Sequence, residues 1–255
     1  MIAHEVDPVV AALGALRHTD PPALDDKLFA CWLTAPSRIG AVFVAFTPLG
    51  VQFVRSTDAL GGDPSAFAQA YRQRFSRPLR PADRAPAGLL PALRGRRGPT
   101  PPLDLSGLSE FERNVLAATR TIPTGETRPY GWVASEAGNP HAVRAAASVL
   151  ARNPVPLLVP CHRVVRADGA VGRYLFGTEH KENLLRGENT NLDDVAALAR
   201  RGVHYVGSDT TGIVCFPTCH HARRITPAHR AGFATAADAV AAGYRPCRSC
   251  RPVIT

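Results

Sequence analysis

Four cysteines near the C-terminus constrain the fold more than any other feature of this 255-residue chain. Cys215, Cys219, Cys247 and Cys250 are spaced C-x3-C-x27-C-x2-C within VHYVGSDTTGIVCFPTCHHARRITPAHRAGFATAADAVAAGYRPCRSCRP. Two close thiol pairs separated by an insert suit a tetrahedral zinc ion held by four thiolates. A redox pair is the alternative, and the presence of two pairs favours zinc. So small a unit gains much of its stability from a metal. His204, His220, His221 and His229 lie nearby, but four thiolates already complete the ligand set. The other cysteines, Cys31 and Cys161, stand alone.

The chain is 45% hydrophobic, enough for one or two ordinary cores. No apolar run approaches the length of a membrane span. The start, MIAHEVDPVV, places acids ahead of a short apolar stretch, so no export leader is read. A cytoplasmic, reducing location is expected, where disulfides are rare. Net charge is +9, and Lys27 and Lys181 are the only lysines among 30 basic residues. Planar arginine forks match phosphate oxygens, so nucleic acid is the leading partner class. A solvated basic surface is the plain alternative.

The pattern reads as α+β: a small N-terminal antiparallel sheet and helix domain, a helical domain with a helix-turn-helix, and a small C-terminal zinc domain. Residues 1–22 form an extension with helical character, and 23–103 the first domain. There AVFVAF and VQFVRS alternate on either side of Thr47–Gly50, predicting a hairpin or meander. Asp63 caps a helix through PSAFAQAYRQRF. Residues 77–102 are rich in Pro, Arg and Gly and mark a boundary, with a helical turn at LLPAL. The second domain covers 104–188 and opens on a capping box, Ser109 with Glu112. A short helix in PYGWVASEAG ends at Gly138, and Asn139-Pro140 starts another, HAVRAAASVLAR. Arg144 projects from that small-residue helix. Residues 189–200 are a linker in which Asn189 or Asn191 caps a helix through Leu198, and 201–255 are the zinc domain.

Between these parts lies Pro160-Cys161-His162-Arg163. Spacing alone leaves three readings for the thiol: buried filler, half of a hydrolase dyad, or a nucleophile stabilised by His162 and nearby positive charge. The surrounding block, residues 122–188, resembles the O6-alkylguanine-DNA alkyltransferases (methylated-DNA–protein-cysteine methyltransferases). Asn153-Pro154-Val155-Pro156, the PCHR core, Gly169–Tyr174, Lys181-Glu182, Leu184-Leu185 and Glu188 all fall at family spacing. The resemblance implies a partner, double-stranded DNA carrying alkylation damage, and a monomeric protein. It also implies stoichiometric transfer of the alkyl group of O6-alkylguanine, and of O4-alkylthymine, to Cys161.

A stacked base hides its alkyl group, so the nucleotide must leave the stack. By resemblance, the helix at 140–152 enters the minor groove and Arg144 fills the gap; a phosphate contact is its plainer role. Tyr130 helps rotate the nucleotide and donates to guanine N3. Cys161 is activated through a water to His162 and then Glu188, while Asn153 ties the neighbouring turn. Arg163, Tyr174 and Lys181 complete the implied DNA-facing set, with Tyr174 walling the pocket. One departure is Tyr174-Leu175-Phe176-Gly177, which lacks the serine or glycine pair that many relatives carry. That leaves the width of the pocket open.

The C-terminal unit resembles the Ada-type zinc domains in TTGIVC and GYRPCRSC. This implies that Cys215 is both a ligand and a second methyl acceptor, taking the group from a DNA methylphosphotriester. Its sulfur would then be exposed, with Cys247 and Cys250 turned inward. Seven arginines against two aspartates in 201–255 suit a phosphate backbone. A zinc unit that only binds DNA or a partner is the alternative. A methylation-responsive regulator would need another DNA-reading module, and none is found in this sequence. A lesion sensor without chemistry would lack Cys161.

Overall fold

The computed structural model describes residues 28–96 and 98–253. The expected extension at 1–22 lies outside them. The alternating stretch folds as a meander of β1 (Ala30–Ser37), β2 (Gly40–Thr47) and β3 (Gly50–Ser56). A short β4 (Leu79–Pro81) joins in parallel beside β1, giving the order β3-β2-β1-β4. Gly50 has φ +142°, and a Cβ there would lie 2.3 Å from the Pro102 carbonyl oxygen. A side chain would therefore push away the 102–103 segment that runs beside β3.

Helix α1 (Pro64–Phe75) is capped by the Asp63 side chain, which accepts from the Ser65 N–H. It buries Phe67 and Tyr71 on one face of the sheet, with Phe67 stacked on Phe43 and Phe53 at 5.2 and 5.6 Å between ring centroids. A single turn, α2 (Leu89–Leu93), follows.

The middle of the chain is helical. Helix α3 (Glu110–Arg120) begins at the expected reciprocal box, Ser109 with Glu112. Helix α4 is Tyr130–Glu136 and α5 is Val143–Ala151. α5 starts later than its sequence suggests, because the Asn139 carbonyl accepts from the Ala142 N–H at 3.0 Å. That bond closes a turn through Pro140 and His141 before the helix begins. β5 (Arg128–Pro129) and β6 (Val164–Val165) form a two-stranded parallel pair. Helix α6 (Thr178–Gly187) follows, then α7 (Leu192–Arg200), capped by Asn191 and slightly longer than expected.

The C-terminal part is a second four-stranded sheet in the order β10-β8-β7-β9. Its strands are β7 (Tyr205–Ser208), β8 (Ile213–Cys215), β9 (Arg230–Phe233) and β10 (Arg245–Pro246). Helix α8 (Ala236–Ala241) has its own capping box, Thr235 with Asp238. One contiguous core runs from Val44 and Val54 through Leu116 and Val133 to Cys215 and Cys250. Among the described residues, no helix is long and apolar enough to cross a membrane.

Candidate active site and metal centre

Cys161 begins a 3-10 turn, Cys161–Arg163, that follows Pro160. Its sulfur is buried at the base of a cavity of about 740 Å³, bounded by Tyr130 of α4, Arg144, Ala147 and Ser148 of α5, and Tyr174. Asn153 organises this floor. Its Nδ2 donates to the Cys161 sulfur and to the Val159 carbonyl, both at 3.2 Å, and its Oδ1 accepts from the Val155 N–H at 3.0 Å. The turn so held includes Leu157 at φ +72°, a left-handed conformation that a branched side chain rarely adopts.

Burial pushes the Cys161 thiol up, while the Asn153 amide and the Lys181 ammonium pull the other way. The resting group is therefore a thiol, which would have to lose its proton to act as a nucleophile. Burial also lowers His162, against the pull of Glu188, so the imidazole is neutral near pH 7 and able to accept a proton. Its Nε2 meets Glu188 Oε1 at 3.0 Å. Its Nδ1 is buried with no hydrogen-bond partner among the described residues.

Glu188 is a node. Arg163 donates from Nε to Oε2 at 2.8 Å and from a terminal nitrogen to Oε1 at 3.0 Å. Arg38, in the turn after β1, reaches Oε1 at 2.8 Å, and the Gly125 N–H reaches Oε2 at 3.4 Å. Burial alone would raise this carboxyl, but hydrogen bonds from His162 and Arg163 hold it well below the usual carboxylate range. The N-terminal sheet thus touches the site directly. It does so again where the Val54 N–H donates to the Pro154 carbonyl at 2.8 Å, next to Asn153.

At the other end, the sulfurs of Cys215, Cys219, Cys247 and Cys250 all lie within 4.8 Å of one another, and all four residues are buried. Tetrahedral zinc with thiolate bonds of about 2.3 Å separates its sulfurs by roughly 3.8 Å, so the cluster fits that ion. Four thiols this close cannot all ionise without a cation to offset the charge.

Residues 110–190 match the family model described as 6-O-methylguanine DNA methyltransferase, DNA binding domain. Residues 196–253 match the metal binding domain of Ada. The first region is thus similar to the alkyltransferases and the second to the Ada metal-binding domains. The chain is 36% identical to the bifunctional transcriptional activator/DNA repair enzyme Ada of Escherichia coli, over 65% of this chain and 47% of that protein. It is 45% identical to a methylated-DNA–protein-cysteine methyltransferase of Methanothermobacter thermautotrophicus, over 36% of this chain and 51% of the relative. It thus spans about half the length of these curated relatives. A crystal structure of a single-residue variant of Mycobacterium tuberculosis OGT superposes with a TM-score of 0.50 at 29% identity, covering 62% of this chain and 92% of that one. The four-cysteine cluster of the Ada-type domain is its zinc site.

Within the alkyltransferase domain, Cys161, His162, Glu188, Asn153, Tyr130, Arg144 and Tyr174 converge on one cavity and its floor. Two residues expected to face DNA do not. Lys181 is fully buried, and its ammonium donates to the Val164 carbonyl at 2.6 Å and the Arg173 carbonyl at 3.4 Å. Burial lowers it to about 8. Arg163 is occupied by Glu188, by the Ile122 carbonyl at 2.7 Å and by Thr124 at 3.0 Å, so its guanidinium faces inward.

The Ada-type domain holds a further correction. The sequence predicts an exposed Cys215 with the CxxC pair turned inward. Instead Cys215 is 1% exposed and Cys247 5%, and both line a cavity of about 480 Å³ bordered by Arg224, Arg245 and Arg248. Cys215 ends β8, an inner strand covered by its neighbours. Sequence reasoning also misses Arg38, Gly125, Glu126, Arg128 and Arg223. Arg38 is 150 positions from Glu188, and no local pattern signals that pairing.

Proposed function

We propose that this protein repairs DNA by taking the alkyl group of O6-alkylguanine onto Cys161, once per molecule. The observation that carries this reading is the Asn153-held thiol at the base of a cavity walled by Tyr130, Arg144 and Tyr174. DNA carrying alkylation damage is the partner. Helices α4 and α5 act as the helix-turn-helix, with α5 against the minor groove. The exposed Arg144 takes the place of the extruded nucleotide. Arg163 and Lys181 are assigned to the site's interior, Arg163 orienting Glu188 and Lys181 supporting the thiolate and fixing the Val164 carbonyl.

In the reaction, His162 accepts the Cys161 proton at Nδ1, through solvent, and Glu188 steadies the resulting imidazolium. The thiolate forms a bond to the alkyl carbon while the carbon–O6 bond breaks and its electron pair moves into the purine. Tyr130 protonates the departing base at N3 and regains a proton from solvent. The products are S-alkylcysteine and unmodified guanine, and a thioether is too poor a leaving group for the thiol to be regenerated. Leu175 at the cavity side, with Phe176 packed edge-on against Tyr174 at 5.6 Å, sets the size of the alkyl group that enters, and O4-alkylthymine is the second substrate of the same pocket. A soluble, cytoplasmic monomer with the domain limits set out above completes the reading.

The zinc-bearing domain supports a second acceptor reading. A basic-rimmed cavity reaches Cys215, so a neutral methylphosphotriester can enter with its neighbouring phosphates on Arg224, Arg245 and Arg248. Zinc, when bound, keeps the ligand thiols ionised. Intact-mass spectrometry with peptide mapping after exposure to O6-methylguanine duplex tests the main reading. One added methyl group on Cys161 is expected, and an unmodified Cys161 would sink the assignment.

A further inference from the structure

The segment 124–128 lies between the two cysteine sites. On one side the Gly125 N–H donates to Glu188 Oε2 at 3.4 Å. On the other, the zinc-bearing domain grips every residue from 125 to 128. The Arg223 guanidinium donates to the Gly125 carbonyl. His220 meets Glu126 Oε1 through its N–H at 3.1 Å and through Nδ1 at 2.9 Å. The Thr127 N–H donates to Thr218 Oγ1 at 2.9 Å, and the Arg128 guanidinium lies 5.3 Å from the centre of the Phe216 ring. These partners all belong to the stretch 216–223, which holds the ligand Cys219.

Arg223 is itself fixed. Its Nε donates to the Thr218 carbonyl and its backbone N–H to the Cys219 carbonyl, both at 3.1 Å. Gly125 has φ +78°, and a Cβ added there would meet the Glu188 carbonyl oxygen at 2.6 Å and Arg223 at 3.2 Å. The residue is held from both sides with no room to shift.

We propose that Arg223, supplied by the zinc-bearing domain, is a positioning residue for alkyl transfer at Cys161: it holds Gly125 against Glu188, and so sets the orientation of His162. The proposal rests on the base-repair reading. Its physical basis is the set of donors on one carboxylate. Arg38, Arg163, His162 and the Gly125 N–H divide two oxygens among them, and Tyr174 packs edge-on against the imidazole at 6.2 Å. Releasing Gly125 lets the two arginines pull the carboxylate toward themselves and turn its contact with His162. The zinc ion therefore serves base repair without touching the base, by ordering the stretch that carries Arg223.

The test uses the full, zinc-loaded chain and free O6-benzylguanine, a probe that needs no DNA grip. The rate of Cys161 alkylation is followed by intact mass from pH 6 to pH 9, with zinc content measured alongside. Arg223→Ala is expected to react about tenfold more slowly, with a displaced pH profile and zinc still at one per chain, because small misplacements of a catalytic group are costly. Arg223→Lys, which keeps a donor at that place, is expected to recover most of the rate. His220→Ala breaks a different contact with the same segment and is expected to stay within about twofold of the parent, since Gly125 and Glu188 keep their bonds. An Arg223→Ala chain with the parent's rate and profile overturns the proposal. So does an equal slowing in both alanine variants with an unchanged profile, which would mean general loosening. A parent chain that takes up no benzyl group overturns the base-repair reading itself.

Discussion

Cys161 and Cys215 are both buried thiols, yet the protein surrounds them in opposite ways. Cys161 has no second thiol beside it; one amide holds it, and a neutral imidazole and a buried ammonium back it. Cys215 is crowded by three other thiols and has no imidazole or carboxylate among its ligating neighbours. The first is set to lose its proton only when a base removes it, while the second is organised by a cation. Two ways of holding a thiol thus share one continuous core, and they differ in what disables them. A single side chain can silence the first, whereas loss of the metal undoes the second.

The sharpest break comes from Cys161→Ala. Transfer from O6-methylguanine duplex should fall to background while duplex binding persists, as read by mass and by gel shift. Residual transfer at another cysteine would dissolve the division of labour. Next, replacing Cys247 and Cys250 together by serine should remove the one zinc per chain and unfold the region from 203 onward. Metal analysis and proteolysis check this, since binding energy and folding energy are one quantity in such units.

Glu188→Gln should slow transfer about a hundredfold, in line with the usual worth of an oriented general base. The same change should weaken acid sensitivity. The folded pKa of Glu188 lies below its unfolded value, so its contribution to stability is complete above about pH 4.3 and fades as pH falls through the folded value. Thermal melts of parent and variant between pH 2 and pH 7 should therefore converge at the acid end. Over the alkaline range, burial raises the Cys161 thiol, so the parent's rate should climb with pH. The climb should flatten above about 8, where Lys181 loses its charge, and Lys181→Met should remove that break.

Arg144→Ala should slow transfer from duplex about tenfold and from free O6-benzylguanine hardly at all, because only the duplex needs a substitute in the stack. Equal losses on both would mean that Arg144 acts within the pocket and not in the stack. The smallest expected effect is on Cys215. With methylphosphotriester DNA and a Cys161→Ala background, partial methylation of Cys215 is expected, limited by its 1% exposure. A methyl group on Cys247 would mean that the more exposed ligand is the acceptor, and no methyl group on either would leave the domain a binding and positioning module.

What a linear reading captures is whatever local chemistry enforces. The four-cysteine spacing, the Ser109–Glu112 box, the Asp63 cap and the alternation of β2 and β3 each depend on residues a few positions apart. The resemblance around PCHR likewise assembles Cys161, His162, Asn153 and Glu188 without any coordinates. The start of α5 escapes, because one carbonyl closing a turn at Asn139 outweighs a plausible proline start. Burial escapes too. Lys181 and Arg163 are cationic and so look like phosphate contacts, until packing turns one toward two carbonyls and the other onto Glu188.

By itself, then, the sequence determined the four-thiol metal chemistry and the α+β class, since spacing and short-range bonding carry them, while only the resemblance around PCHR singled out Cys161. Only the tertiary structure decided that Arg38 of the first sheet and, through Gly125, Arg223 of the zinc-bearing domain meet at Glu188. Such contacts join residues from 63 to 150 positions apart. Their geometry follows from how separate apolar faces pack into one core, a property that no local window of residues contains.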